Sequence, residues 1–334
     1  MKDGSFNKLN CAFETSHTDK IISLKVCKPL PSRSGSTVST VSYFLSGDAD
    51  TLVCKWSTQM DSKEPLWMNE MKVNDGHSGL VTAVAAFTEK TIGPEGEVVE
   101  DVRIVTVSAD MTGIVWDINT GAELHKFYDN SHGHTQSINA IACFETETKS
   151  FAFTVGADAT IVKWDLASFK ALDRVKGLHL ESIRAISLYS ANGDDPISVT
   201  VGDDCKVCCY DWGQEKVLWM LTDVHMDLIV AVDVNVMVVN DSKLPVVLTG
   251  SIDKTSKLIR DGVLDSGALE GHSGAVSAVA LLALDLPNQN LAVTSGMDAV
   301  ILVWDGDVLS KMKLREIKTG QGEITSCHSL KSKI

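Results

Sequence analysis

Apolar and polar residues alternate with a period of two in short runs, and the runs come in pairs around tight turns. Residues 154–165 show the unit most clearly. One run ends at Gly156, a turn occupies 156–159, and a second run ends in Trp164-Asp165. A period of two predicts strands, and Gly and Asp between two such runs predict the hairpin turn that joins them. The same frame occurs six times. Its turn aspartates are Asp50, Asp110, Asp158, Asp204, Asp253 and Asp298, and six residues after them stand Trp56, Trp116, Trp164, Tyr210, Ile259 and Trp304. Four residues before each aspartate is a hydroxyl: Ser46, Thr106, Thr154, Thr200, Thr249 and Thr294. A histidine leads each unit: His17, His77, His134, His179, His225 and His272. The aspartates are spaced by 60, 48, 46, 49 and 45 residues. Self-similarity at such a period marks a repeat architecture, in which each unit is one supersecondary element.

Three of the histidines follow glycine (Gly76, Gly133, Gly271), and three units end in Trp-Asp, at Trp116-Asp117, Trp164-Asp165 and Trp304-Asp305. In these features the chain resembles the WD-repeat β-propeller family, from about residue 17 to residue 317. The resemblance implies an all-β fold of four-stranded antiparallel blades in a single domain over 1–334. The repeats are expected at about 17–73, 77–128, 134–175, 179–221, 225–269 and 272–317. Residues 322–327 align with the start of an inner strand, as at 274–279, so 318–334 is expected to begin a seventh blade. The alternative is a closed six-bladed ring. Residues 6–13 read as a further strand, often the outer strand of the last blade in this family. Loops are expected at 28–38, rich in Pro, Gly and Ser, and in the acidic insertion 88–101.

A histidine, a hydroxyl and an aspartate in one unit invite a nucleophile–base–acid reading. An active site occurs once, however, and this constellation occurs six times. In the family the indole N–H, the hydroxyl, the imidazole and the carboxylate form an internal hydrogen-bond chain, which gives each buried polar group a partner. Carried onto this sequence, the sets are His17-Ser46-Asp50-Trp56, His77-Thr106-Asp110-Trp116, His134-Thr154-Asp158-Trp164 and His272-Thr294-Asp298-Trp304. In His179-Thr200-Asp204-Tyr210 the tyrosine hydroxyl is expected to replace the indole as donor. Ile259 carries no donor, so the fifth set is incomplete.

Composition narrows the function classes. A net charge of −14 argues against general affinity for nucleic acid or anionic membrane. The basic run 311–318 is the one local exception. Eight scattered cysteines without a small-domain disulfide framework favour a reducing compartment, so the cytoplasm or nucleus is expected. No run approaches the roughly 18 apolar residues that a spanning helix needs. Cys205 and Cys208 form a C-x-x-C on a predicted strand with no second ligand pair, which favours packing over zinc or redox chemistry. No phosphate loop is present: residues 93–96 lack the required Lys and Ser/Thr. No metal, cofactor or catalytic residue is expected.

The expected function is therefore a protein-interaction scaffold. An architectural subunit of a coat, cytoskeletal or ciliary assembly is the alternative, and a propeller enzyme the remote one. In the family, contacts on the top face come from the third and fifth residues after the histidine and from the residue before the turn aspartate. Apolar residues at these positions concentrate in units five and six, at Leu228, Val230, Ile252 and Met297, beside Arg184 and Asp203 of unit four. This surface is the expected partner site.

Overall fold

A computed structural model of the chain describes residues 21–27, 43–48, 53–57, 67–69, 76–92, 98–118, 120–190, 195–239, 242–283, 290–305, 313–318 and 324. Among them there is no helix. The strands form six antiparallel sheets in sequence order. The first contains β1 (Ile21–Cys27), β2 (Tyr43–Asp48), β3 (Val53–Ser57) and β4 (Trp67–Asn69). The second contains β5 (Val81–Ile92), β6 (Val98–Ser108), β7 (Gly113–Asp117) and β8 (Glu123–Phe127). The third contains β9 (Ile138–Glu145), β10 (Ser150–Gly156), β11 (Ile161–Asp165) and β12 (Lys170–Val175). The fourth contains β13 (Ile183–Tyr189), β14 (Ile197–Gly202), β15 (Val207–Asp211) and β16 (Lys216–Leu221). The fifth contains β17 (Ile229–Val239), β18 (Ser242–Ser251), β19 (Thr255–Arg260) and two short outer pieces that both pair with β19, β20 (Val263–Leu264) and β21 (Leu269–Glu270). The sixth contains β22 (Val276–Ala283), β23 (Asn290–Gly296), β24 (Val300–Asp305) and β25 (Lys313–Lys318).

These sheets are propeller blades. Their innermost strands pack in chain order, β1 against β5, then β9, β13, β17 and β22. The core lies between blades. Trp164 packs with Phe87, Phe127 and Val105 of the blade before it, and Trp304 with Leu248 and Leu258. The second strands are sealed on both faces: every residue of β14 is buried. This explains their near-continuous Val, Ile and Thr content. The insertion 88–101 departs from the expected loop. It extends the β5–β6 hairpin, pairing Thr88 with Val102 and Ile92 with Val98. Its Thr and Val content suits paired strands.

Each inner strand carries a bulge five residues after the leading histidine, at Ile22, Thr82, Asn139, Arg184, Val230 and Ser277. A bulge inserts one unpaired residue and re-aims its side chain. Three of these side chains fasten their blade to the next. The Thr82 hydroxyl donates to the Ile138 carbonyl at 2.6 Å, and the Asn139 amide donates to the Ile183 carbonyl at 2.8 Å. The Ser277 hydroxyl donates to the Ile324 carbonyl, and the Ile324 N–H donates to Gly296 O at 3.3 Å. Ile324 therefore sits beside the sixth blade where Ile138 and Ile183, the first residues of β9 and β13, sit beside theirs. Residues 6–13 and the rest of 319–334 lie outside the described residues.

Arg184 and Val230 break this series, and a buried carboxylate takes over at their seams. Asp233 of β17 accepts a hydrogen bond from the Ser187 hydroxyl of β13 (3.1 Å) and from the Leu281 N–H of β22 (2.9 Å). Three inner strands thus share one side chain. Its low exposure is tolerable only because these donors satisfy it.

Candidate functional site

His17 and Asp50 lie outside the described residues, while Ser46 falls on β2 and Trp56 on β3. In the second blade, His77 Nε2 lies 2.8 Å from Thr106 Oγ1, and Trp116 Nε1 donates to the same hydroxyl at 2.8 Å. His77 Nδ1 lies 3.2 Å from Asp110 Oδ2. The carboxylate can only accept, so Nδ1 carries the proton and Nε2 accepts from the threonine. The third blade repeats these distances: 2.8 Å for His134–Thr154, 2.8 Å for Trp164–Thr154 and 3.0 Å for His134–Asp158. The sixth gives 2.9 Å for His272–Thr294, 2.9 Å for Trp304–Thr294 and 3.1 Å for His272–Asp298.

The fourth blade differs from expectation. His179 bonds Thr200 and Asp204 at 3.0 and 2.9 Å, but Tyr210 donates no hydrogen bond to Thr200. The indole is supplied two residues later. Trp212 Nε1 donates to Ser198 Oγ at 3.0 Å, and Ser198 lies two residues before Thr200 on β14. A shift of two keeps the side-chain face on a strand, so the donor and acceptor have both slid one step along the same row. Trp212 also lies against Phe153 of the third blade, 4.8 Å between ring centroids. Trp212→Phe should accordingly cost about 1 kcal/mol for the lost bond, whereas Tyr210→Phe should leave the melting temperature unchanged. Calorimetry on the two variants reads this directly, and the reverse order would restore the tyrosine as donor.

In the fifth blade the buried Ile259 takes the place of the indole, yet His225, Thr249 and Asp253 keep their contacts, at 2.8 Å for His225–Thr249 and 2.9 Å for His225–Asp253. Burial raises the Asp253 carboxyl. Hydrogen bonds from the Thr255 hydroxyl and the Met226 N–H, with the neighbouring His225, outweigh burial and leave it at about 2. Burial lowers His179 and His225, so both rings favour the neutral state that the chain requires. These groups are consumed by one another. Among the described residues no three His, Cys, Asp or Glu side chains could together hold a metal ion. Cys208 and Cys209 are buried, and burial pushes each thiol up to about 12, far from a reactive thiolate.

The face that remains open is formed where the loop entering each inner strand meets the turn carrying the aspartate. A backbone hydrogen bond joins the two in the second to sixth blades. The N–H before the aspartate donates to the carbonyl three residues after the histidine: Ala109 to Leu80, Ala157 to Ser137, Asp203 to Ser182, Ile252 to Leu228 and Met297 to Ala275. Arg184 and Asp203 meet here as a bidentate pair, both contacts 2.7 Å. Leu228, Val230 and Ile252 are half-buried, and Met297 is exposed.

The most exposed apolar side chains of this face are two that the family's contact positions do not include. Leu180 is 77% exposed and Met226 is 95% exposed. Each directly follows its histidine. Elsewhere that position holds Ser78, Thr135 or Ser273, whose backbone N–H and hydroxyl both turn back to the aspartate. Leu180 and Met226 keep the N–H contact, at 2.9 and 3.0 Å, and send the side chain to solvent. Aligning the repeats column by column would have exposed this exchange in the sequence.

Comparison with known proteins agrees with the geometry. The family described as WD domain, G-beta repeat matches residues 265–305. The chain is also similar to a guanine nucleotide-binding protein subunit beta from Zea mays, 21% identical over 119 residues, 35% of this chain and 28% of that protein. The match thus spans little more than a quarter of the relative's length. The family match falls on the sixth blade with its complete His272–Thr294–Asp298–Trp304 set, and the same contacts recur in the second and third blades, so the match and the geometry together support a WD-repeat family.

Proposed function

We propose that this chain is a non-catalytic adaptor whose upper face over the fourth to sixth blades holds a protein partner. WD repeats and the likeness to a guanine nucleotide-binding protein subunit beta support a protein-interaction role in general. The exchange of a self-bonding Ser or Thr for exposed Leu180 and Met226 in two adjacent blades carries the finer reading. Neither side chain contributes to its own blade's polar chain, and solvent-facing apolar residues grouped on one face favour an interface. Methionine adapts to irregular partner surfaces. Half-buried Leu228, Val230 and Ile252 line the base of the same surface, and the Arg184–Asp203 pair forms a charged rim, as at protein-binding sites generally. The scattered cysteines support placement in the cytoplasm or nucleus.

The test is Leu180→Asp combined with Met226→Asp. Because both side chains stand in solvent, folding stability should change by no more than about 0.5 kcal/mol. Affinity purification of the folded double variant should then lose partners that the wild type retains. Retention of every partner would remove this face from consideration. Partners lost together in fixed stoichiometry would identify an architectural subunit rather than a transient adaptor.

A further inference from the structure

The two residues after each leading histidine change character in one sector. In the second, third and sixth blades they are Ser78-Gly79, Thr135-Gln136 and Ser273-Gly274, none of them charged. In the fourth and fifth they are Leu180-Glu181 and Met226-Asp227, an apolar residue followed by an acid, and all four are exposed. Asp223, two residues before the fifth histidine, is exposed as well. The other carboxylates of this sector are already matched: Asp203 with Arg184, Asp204 with His179 and Lys206, and Asp253 with His225. Among the described residues the Glu181 and Asp223 carboxylates make no hydrogen bond or ion pair, and that of Asp227 accepts only the Leu228 N–H, at 2.8 Å. Acids from both blades act on one point. Burial, followed by the carboxylates of Asp227, Asp204, Asp223 and Glu181, pushes up the Cys205 thiol in the turn of the fourth blade. Lys176 and Lys254 are exposed on the flanking loops, and neither pairs with these acids.

We propose that this sector selects a basic segment of a protein partner, whose apolar side chains rest on Leu180 and Met226 and whose Lys or Arg side chains meet Glu181, Asp223 and Asp227. The proposal rests on the upper face being the partner site and adds the chemistry of what that face holds. Carboxylates without an internal partner gain from a cation brought to them, and the matching of potentials across an interface sets specificity and encounter rate. The net charge of −14 extends the same field beyond contact and steers cationic segments inward. Nucleic acid, an anionic lipid surface or an acidic peptide meets repulsion at the same three residues. Leu180 and Met226 alone would be indifferent to charge. Because each stands next to an acid, a segment that fills the surface must present apolar and basic side chains together.

Two synthetic peptides of equal length and leucine content test the assignment, one with lysine and one with glutamate at its polar positions. Each is titrated against the whole chain by fluorescence anisotropy. The lysine peptide should bind and the glutamate peptide should not. Glu181→Gln with Asp223→Asn and Asp227→Asn should weaken the lysine peptide about tenfold, and raised salt should weaken it on the wild type. The melting temperature should not change: asparagine keeps the oxygen that accepts from Leu228, and it tolerates the left-handed backbone of Asp223. Leu180→Ser with Met226→Ser should also weaken the lysine peptide, which separates seating on this face from general attraction to an acidic chain. A wild type that prefers the glutamate peptide, or binds neither, overturns the proposal. So does a lysine peptide that binds the triple amide variant as tightly as the wild type. If Leu180→Asp with Met226→Asp loses partners in affinity purification while the triple amide variant keeps them all, the upper face remains the partner site and only its selectivity for a basic segment falls.

Discussion

Replacing Asp158 with alanine should lower the unfolding free energy by about 3–5 kcal/mol, the range for removing one partner of a buried ion pair. This carboxylate does more than complete a repeat. It accepts from His134, from the Thr135 N–H at 2.8 Å and from the Thr160 hydroxyl at 2.8 Å. It also pairs with Arg174 Nη2 at 2.9 Å, where the two side chains are only 4% and 11% exposed. Alanine leaves that guanidinium buried beside an imidazole with no acceptor. Asp253 makes the corresponding contacts to His225, Met226 and Thr255 but has no arginine. Asp253→Ala should therefore cost clearly less. Thermal midpoints of the two variants decide the matter: equal losses would show that the Arg174 contact contributes nothing beyond the repeat's own chain.

Trp164→Ala should be comparably damaging, at about 3–5 kcal/mol for emptying a fully buried indole site. The ring packs edge-on against Phe127 of the second blade, 5.0 Å between centroids, so the cavity would open between two blades. Trp164→Phe separates the two contributions. It keeps most of the packing and loses only the donor to Thr154, worth about 1 kcal/mol. If phenylalanine proves as harmful as alanine, the hydrogen bond rather than the inter-blade contact holds this site together.

The repeated frame made the strands and their order readable, because the alternation and the turn residues are local and recur in every unit. What the frame could not reveal is whatever depends on geometry between rows or between blades. Trp212 escaped because a strand presents the same face every two residues, so a donor displaced by two is equivalent in space but not in a fixed six-residue count. Arg174 escaped because its partnership with Asp158 crosses from the outer strand to the turn. Asp233 stands among the apolar residues of β17, and only the packing of three inner strands shows that it joins them. The extended hairpin at 88–101 was concealed by its acidic residues, of which Glu89, Glu100 and Asp101 stand on the paired strands β5 and β6. Leu180 and Met226 were legible in principle, since their column otherwise holds Ser or Thr.

The bulge in each inner strand also bears on how such a chain can grow. Thr82 and Asn139 each bond to the blade that comes after them as well as to their own. A unit of this kind carries the fastening for its successor, and the acceptor it needs is a main-chain carbonyl that any blade presents. Tandem duplication of such a unit therefore delivers a module already fitted to its neighbour, whatever that neighbour's side chains are. The fourth and fifth blades have given up that interchangeability. Arg184 turns to Asp203 within its own blade, Val230 has nothing to donate, and Asp233 links the seams instead, through the Ser187 hydroxyl on one side and the Leu281 N–H on the other. The seam between the fourth and fifth blades thus carries a pair of side chains, Ser187 and Asp233, that must match each other, and these are the two blades that present Leu180 and Met226.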